Sequence, residues 1–282
     1  INEMLMEKER LSVEDFKMML ADKKSKLAER MVPGLLNELK KIPQATSNER
    51  RAMEMLSSWD MIYNPESPEA LIFEKFYLRF LENLLLEDMG EELYAEFIAD
   101  KILVRNIIDL IWTKRQSSWL ADSESGPGSF TDMVQRSFYE SIEWLELNNG
   151  ASPERWAWGD IHKLTIEHPL GSVKLVNLLF NMNKGPYSPG GSFHTVCPYS
   201  YKFTDPFKVN HGASQRHIYS ADNWDESLSV IPTGTSGIPA SDYYCDQTER
   251  YIDDMYRKDL FSKEGTDGTA RYRMRLMPAG NY

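Results

Sequence analysis

The sequence predicts an α+β fold in which a helical layer is followed by antiparallel strands. Two observations predict it. Apolar residues recur at helical spacing through residues 1–147. From residue 148 onward Gly, Pro, Asn and Ser become frequent, and the short runs between them alternate apolar with polar residues. We therefore expect a helical segment over residues 1–147 and a strand-rich segment over residues 148–282, the latter with one late helix and a terminal strand.

The helical segment contains recognisable helix starts. Ser12 and Asp15 have the spacing of a capping box, in which each side chain satisfies an exposed backbone donor of the other residue. Apolar residues follow them at helical spacing until Pro33, where we expect the helix to end. Ser67 followed by Pro68 is a second start signal, because proline at the first helical position loses no backbone hydrogen bond.

Two long apolar stretches follow. Residues 71–85 form a wide apolar face that we expect to be buried on two sides. Residues 102–112 are nearly all apolar and fit a buried helix or a strand, with helix favoured by the neighbouring segments. After a predicted loop at residues 122–128, Ser129 and Asp132 repeat the capping-box spacing.

The strand-rich segment is predicted from runs in which apolar and polar residues alternate. Residues 156–169 read as one long strand, with His162, Leu164, Ile166 and His168 on the same face. Residues 193–198, 216–221 and 228–232 are shorter strand candidates. Residues 246–259 return to a helical pattern, and residues 271–277 alternate basic with apolar residues, as expected of a terminal strand.

Composition excludes some classes of protein. The net charge of −11 argues against nucleic-acid binding, because binding to phosphates needs clustered Lys and Arg. The acidic excess lies in residues 1–150, which hold 18 basic and 28 acidic residues. No apolar run approaches the ~20 residues that span a bilayer. Two cysteines, Cys197 and Cys245, allow either a disulfide or two buried thiols. The start at Ile1 suggests an internal cut, from processing or from the choice of segment.

A self-contained catalytic site is not predicted. The nearest approach to a Gly-x-Ser-x-Gly nucleophile elbow is Gly234-Thr235-Ser236-Gly237-Ile238, where Ile replaces the last glycine. Ser214, His217 and Asp222 are close in sequence, but sequence proximity does not make a triad.

Metal and phosphate sites are disfavoured as well. On one strand, His162 and His168 lie about 20 Å apart, too far to share a metal. His211 and His217 remain possible ligands, without any metal-binding motif around them. The glycines of residues 184–191 alternate with prolines, which lack the backbone donors that an anion needs, so this stretch is predicted to be turns.

What remains is an ordered series of motifs. Trp156-Ala157-Trp158-Gly159-Asp160-Ile161-His162 precedes Glu167-His168-Pro169-Leu170-Gly171, and then come Pro206-Phe207-Lys208-Val209, His211-Gly212-Ala213-Ser214-Gln215-Arg216, Leu228 to Gly237, and Tyr243-Tyr244-Cys245-Asp246-Gln247. The series resembles the C-terminal region of penicillin-acylase-type (penicillin amidase) enzymes, and residues 11–16, 33–36 and 59–60 resemble the helical segment before it. Thr235 and residues 240–243 depart from the family pattern in loops.

The resemblance implies the C-terminal portion of the large chain of an N-terminal-nucleophile hydrolase, with a four-layer αββα sandwich. Such enzymes hydrolyse N-acyl amides, of the β-lactam side-chain or acyl homoserine lactone type, through a serine at the start of that chain. The nucleophile, the oxyanion asparagine, a catalytic arginine and any calcium ligands would lie upstream of Ile1. We therefore expect no catalytic residue, cofactor or metal ligand in this chain, and no activity from it alone.

The motif positions are expected to build strands and turns instead of doing chemistry. They are Trp158, Gly159, His162, His168, Pro169, Gly212, Ser214, Arg216, Gly234, Ser236, Gly237, Asp246 and Gln247. The expected partners are the remainder of the precursor chain and the amide substrate of the parent protein, and the family implies a periplasmic or secreted location. The alternative is a stand-alone, non-catalytic module that binds a protein partner through open strand edges. The amidase-fragment interpretation predicts incomplete sheets with unpaired edges, so the isolated chain is expected to self-associate or to be poorly soluble.

Overall fold

The computed structural model describes residues 1–41, 45–120 and 129–277, and the predicted loop at residues 122–128 lies outside these ranges. It confirms the α+β class, with helices first and mainly antiparallel strands after them. The helices of the first part are α1 (Asn2–Met6), α2 (Val13–Leu20), α3 (Lys26–Leu39), α4 (Ser47–Ser58), α5 (Pro68–Ile98), α6 (Lys101–Lys114) and α7 (Phe130–Asn149). Within the described ranges no helix has the length and apolar content needed to cross a membrane.

The predicted helix starts are confirmed by their hydrogen bonds. Ser12 and Ser129 each form a complete capping box with the acidic residue three positions later, and Pro68 opens α5. The predicted end at Pro33 is wrong. The helix that Ser12 caps, α2, ends at Leu20. A separate helix, α3, begins after Ser25, whose hydroxyl accepts from the Ala28 amide, and it continues through Pro33. Burial of the apolar face of α3 offsets the backbone hydrogen bond that proline cannot donate.

The two apolar stretches differ in burial. In α5 the predicted apolar face is confirmed. Residues 70–77 are all buried, and Phe80, Leu81, Leu84 and Leu85 continue the buried face at helical spacing. A break at Gly90, with φ of 71°, bends α5 near its end. Residues 102–112 are helical, as favoured, but the helix α6 is buried on one side only. Val104, Ile108 and Ile111 are buried, whereas Ile102 is 69% exposed.

The chain forms two compact units. One comprises residues 22–213, and the other joins residues 1–21 to residues 214–282. The change from helices to strands near residue 148 therefore falls inside the unit of residues 22–213. The main hydrophobic core belongs to this unit and runs from Ala28 in α3 to Phe203, with α5 and α7 at its centre.

The unit of residues 22–213 contains a four-stranded sheet. After the short helix α8 (Trp158–Ile161), its elements are β1 (Lys163–Ile166), α9 (Lys174–Phe180), β2 (Lys184–Tyr187), β3 (Ser200–Lys202) and β4 (Asp205–His211). The strand order is β2-β1-β4-β3, with β1 and β4 parallel and the other pairs antiparallel.

Three predictions in this unit are wrong. The expected long strand at residues 156–169 is a helical turn, the short strand β1 and a 3-10 turn, Pro169–Ser172. Residues 193–198 form turns instead of a strand, because their backbone bonds to loops, as in the Cys197 amide donating to the Asp22 carbonyl. Conversely, part of the predicted turn at residues 184–191 is strand β2, which pairs with β1 despite its proline.

The other unit contains α1, α2 and a three-stranded sheet. Its further elements are β5 (Arg216–Ile218), β6 (Leu228–Val230), α10 (Thr248–Ile252), β7 (Arg257–Lys258) and α11 (Lys263–Thr269), with strand order β5-β6-β7. The strands predicted at residues 216–221 and 228–232 are confirmed in shorter form.

The end of the chain was predicted less well. The helix expected over residues 246–259 covers only α10, because residues 257–258 pair with β6 instead. The terminal strand expected at residues 271–277 is wrong. These residues are exposed and pair with no described strand, and a strand needs a hydrogen-bonding neighbour. The helix α11 just before them was not predicted.

Candidate functional site

A buried carboxyl group lies at the centre of the unit of residues 22–213. Glu74 projects from the apolar face of α5 and is fully buried. The Tyr63 hydroxyl donates to its Oε2 atom over 2.7 Å, and the Tyr201 hydroxyl, brought in by β3, donates to Oε1. The Nε2 atom of His194 lies 3.7 Å from Oε1. Four polar side chains from separate parts of the chain thus meet inside a hydrophobic core.

Burial controls protonation in this cluster. It raises the pKa of Glu74 to about 7, against the weaker opposing effect of the two tyrosine hydrogen bonds. Burial also lowers the pKa of His194 well below its usual value, and the positive charge of Arg105 adds to that effect. The pKa values of Tyr63 and Tyr201 are raised by burial and by the Glu74 carboxylate. The arrangement binds or releases one proton near neutral pH.

The Trp158 motif lies beside this cluster. Because Trp158 and His162 are four residues apart on one helical turn, their rings stack with centroids 4.2 Å apart. The Trp158 indole donates to the Gly191 carbonyl over 3.1 Å and meets Tyr63 edge-on. Burial lowers the pKa of His162 to about 3, so its ring is neutral. Gly159 gives room for close packing, since a Cβ there would lie 3.0 Å from the side chain of Pro65.

His162 and His168 do not share the strand face that the sequence predicted. His162 is buried, whereas the Nδ1 atom of His168 accepts from the Leu170 amide and caps the 3-10 turn that Pro169 opens. The His168 amide in turn donates to the Asn183 side chain over 2.9 Å. Within the described ranges, no group of three or more His, Cys, Asp or Glu side chains is arranged to hold a metal ion.

In the other unit, Arg216 organises a second polar cluster. The residue is only 4% exposed. Its guanidinium donates to the Tyr251 carbonyl over 3.0 Å and to Asp254 over 2.9 Å, and it lies 4.4 Å above the Tyr251 ring. Gln247, also buried, accepts from the Ile231 amide through its side chain and donates through its backbone to the Thr233 carbonyl. These contacts connect α10 to the three-stranded sheet.

The Gly-x-Ser-Gly turn packs against the segment that leads into α10. A Cβ at Gly234 would lie 2.0 Å from the Tyr243 carbonyl and 2.5 Å from the Asp246 carboxylate, so only glycine fits there. The Ser236 amide donates to the same Tyr243 carbonyl, and the Ser236 hydroxyl accepts from the Ile238 amide. Gly237 faces open space.

The serine and histidine candidates are not assembled into a triad. Ser214 is exposed, and Gly212, two residues before it, is half-buried. His217 lies 3.8 Å from the Asp259 carboxylate and 3.4 Å from the Tyr219 hydroxyl, so its polar contacts do not involve Ser214. Cys197 and Cys245 do not form a disulfide, and Cys197 is buried.

Sequence reasoning missed the Glu74 cluster. Glu74 and Lys75 are the charged residues inside the run Leu71 to Leu78, and a carboxylate within such an apolar face indicates a buried partner. Its partners were not identifiable, because Tyr201 is 127 residues away in sequence.

Comparison with known proteins connects the whole chain to one family. The family model described as penicillin amidase matches residues 1–267. Acyl-homoserine lactone acylase QuiP of Pseudomonas aeruginosa is 23% identical over 265 residues, which is 84% of this chain and 30% of the relative. Penicillin acylase 2 proenzyme of Pseudomonas sp. strain SE83 is 30% identical over 122 residues, 43% of this chain and 16% of the relative.

Among solved structures, the thermostable penicillin G acylase from Alcaligenes faecalis matches with a TM-score of 0.59 and 13% identity, over all of this chain and 52% of that one. This similarity supports the fold. The chain spans about a third or less of the length of the curated relatives it matches. Because the family model covers nearly all of its residues, the chain belongs to the penicillin amidase family.

Proposed function

We propose that this chain is the C-terminal scaffold of an amidase that hydrolyses N-acyl amides through an N-terminal serine upstream of Ile1. The observation that carries the proposal is the family match over residues 1–267, combined with the 30% share of its relative that the chain spans. The described residues support it, since the serine and histidine candidates among them do not come together. In such a hydrolase the amine of the terminal serine serves as its own base.

The family-motif positions then act by holding strands and turns. Trp158 joins α8 to the loop at Gly191, Arg216 joins β5 to α10, and Gly234 allows the close approach of the Tyr243 carbonyl. Each of these contacts lies inside one compact unit. The Trp158 and Arg216 side chains are buried and donate hydrogen bonds to backbone carbonyls. These two side chains are therefore engaged within the fold and are not available to a substrate.

Exposed apolar surface supports a larger assembly. The helix α9 exposes Leu175, Leu178, Leu179 and Phe180 by 65%, 80%, 68% and 58%. Contiguous apolar surface of this kind marks interaction sites. The strands β2 and β3 are edges of the four-stranded sheet, so backbone groups there are available for pairing. We assign this surface to the remainder of the precursor chain, which would also carry any calcium ligands.

The substrate class follows from the relatives. One is named an acyl-homoserine lactone acylase and another a penicillin acylase. Both names describe removal of an acyl group from an amide nitrogen. We propose an N-acyl amide of one of these two types as the substrate, and a periplasmic or secreted location for the parent protein.

The alternative is a stand-alone module that binds a protein partner through its strand edges. Both ideas use the same exposed surface, but they differ in catalysis. The polypeptide encoded by the complete coding sequence, and this chain alone, should be assayed with N-octanoyl homoserine lactone and with a chromogenic phenylacetyl anilide. We expect the complete polypeptide to release the free acid and this chain to show no turnover. Turnover by this chain alone would refute the upstream nucleophile, and inactivity of the complete polypeptide on every amide would favour the binding module.

A further inference from the structure

A concave cleft opens in the unit of residues 22–213, between the first turns of α6 and the strands β3 and β4. Its volume is about 750 Å³, which is within the usual range for sites that hold small organic molecules. Three cations line it: Lys101 and Arg105 from α6, one helical turn apart, and Lys202 from β3.

Within the part of the chain that the structure describes, the three cations have no anionic partner. Among the described residues no carboxylate lies within ion-pair distance of Lys101, Arg105 or Lys202, and the recorded contact of the Lys101 ammonium is a 3.0 Å hydrogen bond to the Ser200 hydroxyl. The chain has 43 acidic residues against 32 basic ones, so a shortage of carboxylates does not explain this. By contrast, Arg30 on the neighbouring helix α3 is paired with Asp109.

The carboxylates closest in sequence are engaged elsewhere or fail to pair. Asp100 accepts hydrogen bonds from the Ile102 and Leu103 amides and caps α6, so those amides are not available to a ligand. Asp205 is the strand neighbour of Lys202, yet it forms no ion pair with it. Burial and the charge of Lys202 both lower the pKa of Lys101, as expected of ammonium groups held close together without a counter-ion.

The rest of the cleft lining is mixed, with polar side chains (Ser200, Thr204, Asn210 and His211) beside apolar ones. Ile102, which is 69% exposed, lines the cleft together with Phe193 and Pro198. A simple inorganic anion would leave these side chains in contact with water. An anion with an apolar portion would cover them and would neutralise the cations at the same time.

We propose that this cleft binds a small organic carboxylate, with its carboxylate group at Lys101, Arg105 and Lys202 and its apolar portion against Ile102, Phe193 and Pro198. The inference does not rest on the amidase proposal, because it uses no catalytic residue. A matching ligand has one carboxylate and a short alkyl or aryl portion.

Octanoate is a suitable probe, to be titrated into the 282-residue chain by calorimetry. Octan-1-ol keeps the tail without the charge, acetate keeps the charge without the tail, and inorganic phosphate tests for a general anion site. We expect octanoate to bind about tenfold or more tightly than each of the three, because either a charge-assisted contact or the apolar contact is missing from them. Added salt should weaken octanoate binding, since the cations at the cleft rim are solvent-accessible.

Substitutions test the location. Arg105→Gln and Lys202→Gln should each weaken octanoate binding about tenfold. Lys114→Gln is the matched control, because it removes the same charge from the last turn of α6, away from the cleft, and should leave binding unchanged. Circular dichroism of each variant confirms folding.

Three outcomes would overturn the proposal. These are unchanged binding in both cleft variants, octan-1-ol binding as tightly as octanoate, and phosphate binding as tightly as octanoate. The last would also remove the role of Ile102, Phe193 and Pro198. Loss of binding in the cleft variants but not in Lys114→Gln would support the proposal, whatever the amidase assay shows.

Discussion

Replacing Glu74 with glutamine changes one proton equilibrium at the centre of the core. The Glu74 carboxyl has a pKa of about 7 in the folded protein, against 4.5 for an ordinary glutamate, because it is fully buried. Glutamine keeps nearly the same shape and an acceptor for one of the two tyrosine hydroxyls. It never ionises, so the variant isolates the effect of the charge.

The sign and the magnitude follow from the two pKa values. Between pH 4.5 and 7 the folded protein holds a proton on Glu74 that the unfolded chain has released. The stabilising contribution of this proton is complete below pH 4.5 and is lost as the pH rises through 7. The difference between the pKa values corresponds to about 3 kcal/mol in the free energy of unfolding.

Urea unfolding of the wild-type chain and of Glu74→Gln from pH 4.5 to pH 8 measures this contribution. We expect the wild type to lose about 3 kcal/mol relative to the variant over that range. His162, with its pKa lowered to about 3, acts in the opposite sense, because its stabilising effect is present above pH 6.5 and is lost as the pH falls. It is present in both proteins and cancels. A difference that stays constant with pH would refute the buried, proton-binding state of Glu74.

Two further substitutions test the scaffold, each with a matched control in the same chain. Gly159→Ala should lower the free energy of unfolding by about 1–3 kcal/mol, because its Cβ would lie 3.0 Å from Pro65 and from Ser188. Gly237→Ala is its control: the added Cβ meets no atom within 4 Å, so the same urea titration should show little change. Arg216→Ala should cost about 3–5 kcal/mol, because it breaks the nearly buried ion pair with Asp254 and the hydrogen bond to the Tyr251 carbonyl. Arg273→Ala removes an exposed ion pair and should hardly change the thermal midpoint. Equal effects of a substitution and its control would contradict the assigned contacts.

Local signals in the sequence were sufficient where the cause is local. The capping boxes at Ser12 and Ser129 and the start at Pro68 depend on residues within one helical turn, and all three were predicted. The ordered motif series also identified the family, which the family model then confirmed.

The errors arose where distant residues decide the structure. The alternation of residues 156–169 suggested a strand, but Trp158 and His162 stack across one helical turn because the core around Tyr63 and Tyr201 encloses them. Residues 271–277 have a strand pattern without a described neighbour to pair with. The Glu74 cluster depends on Tyr201, whose position relative to α5 is set by the whole fold. Contacts of this kind are not encoded in any short stretch of sequence.

We propose that the attacking residue of the parent protein lies outside these 282 residues. A sulfonyl fluoride such as phenylmethanesulfonyl fluoride transfers its sulfonyl group to an activated serine oxygen and releases fluoride, leaving a permanent mass label. After treatment of the active complete polypeptide, peptide mass spectrometry locates the label. We expect a single modified serine upstream of Ile1 and loss of amide hydrolysis in proportion to labelling. Activity-linked label on a serine within residues 1–282, such as Ser214 or Ser236, would contradict it.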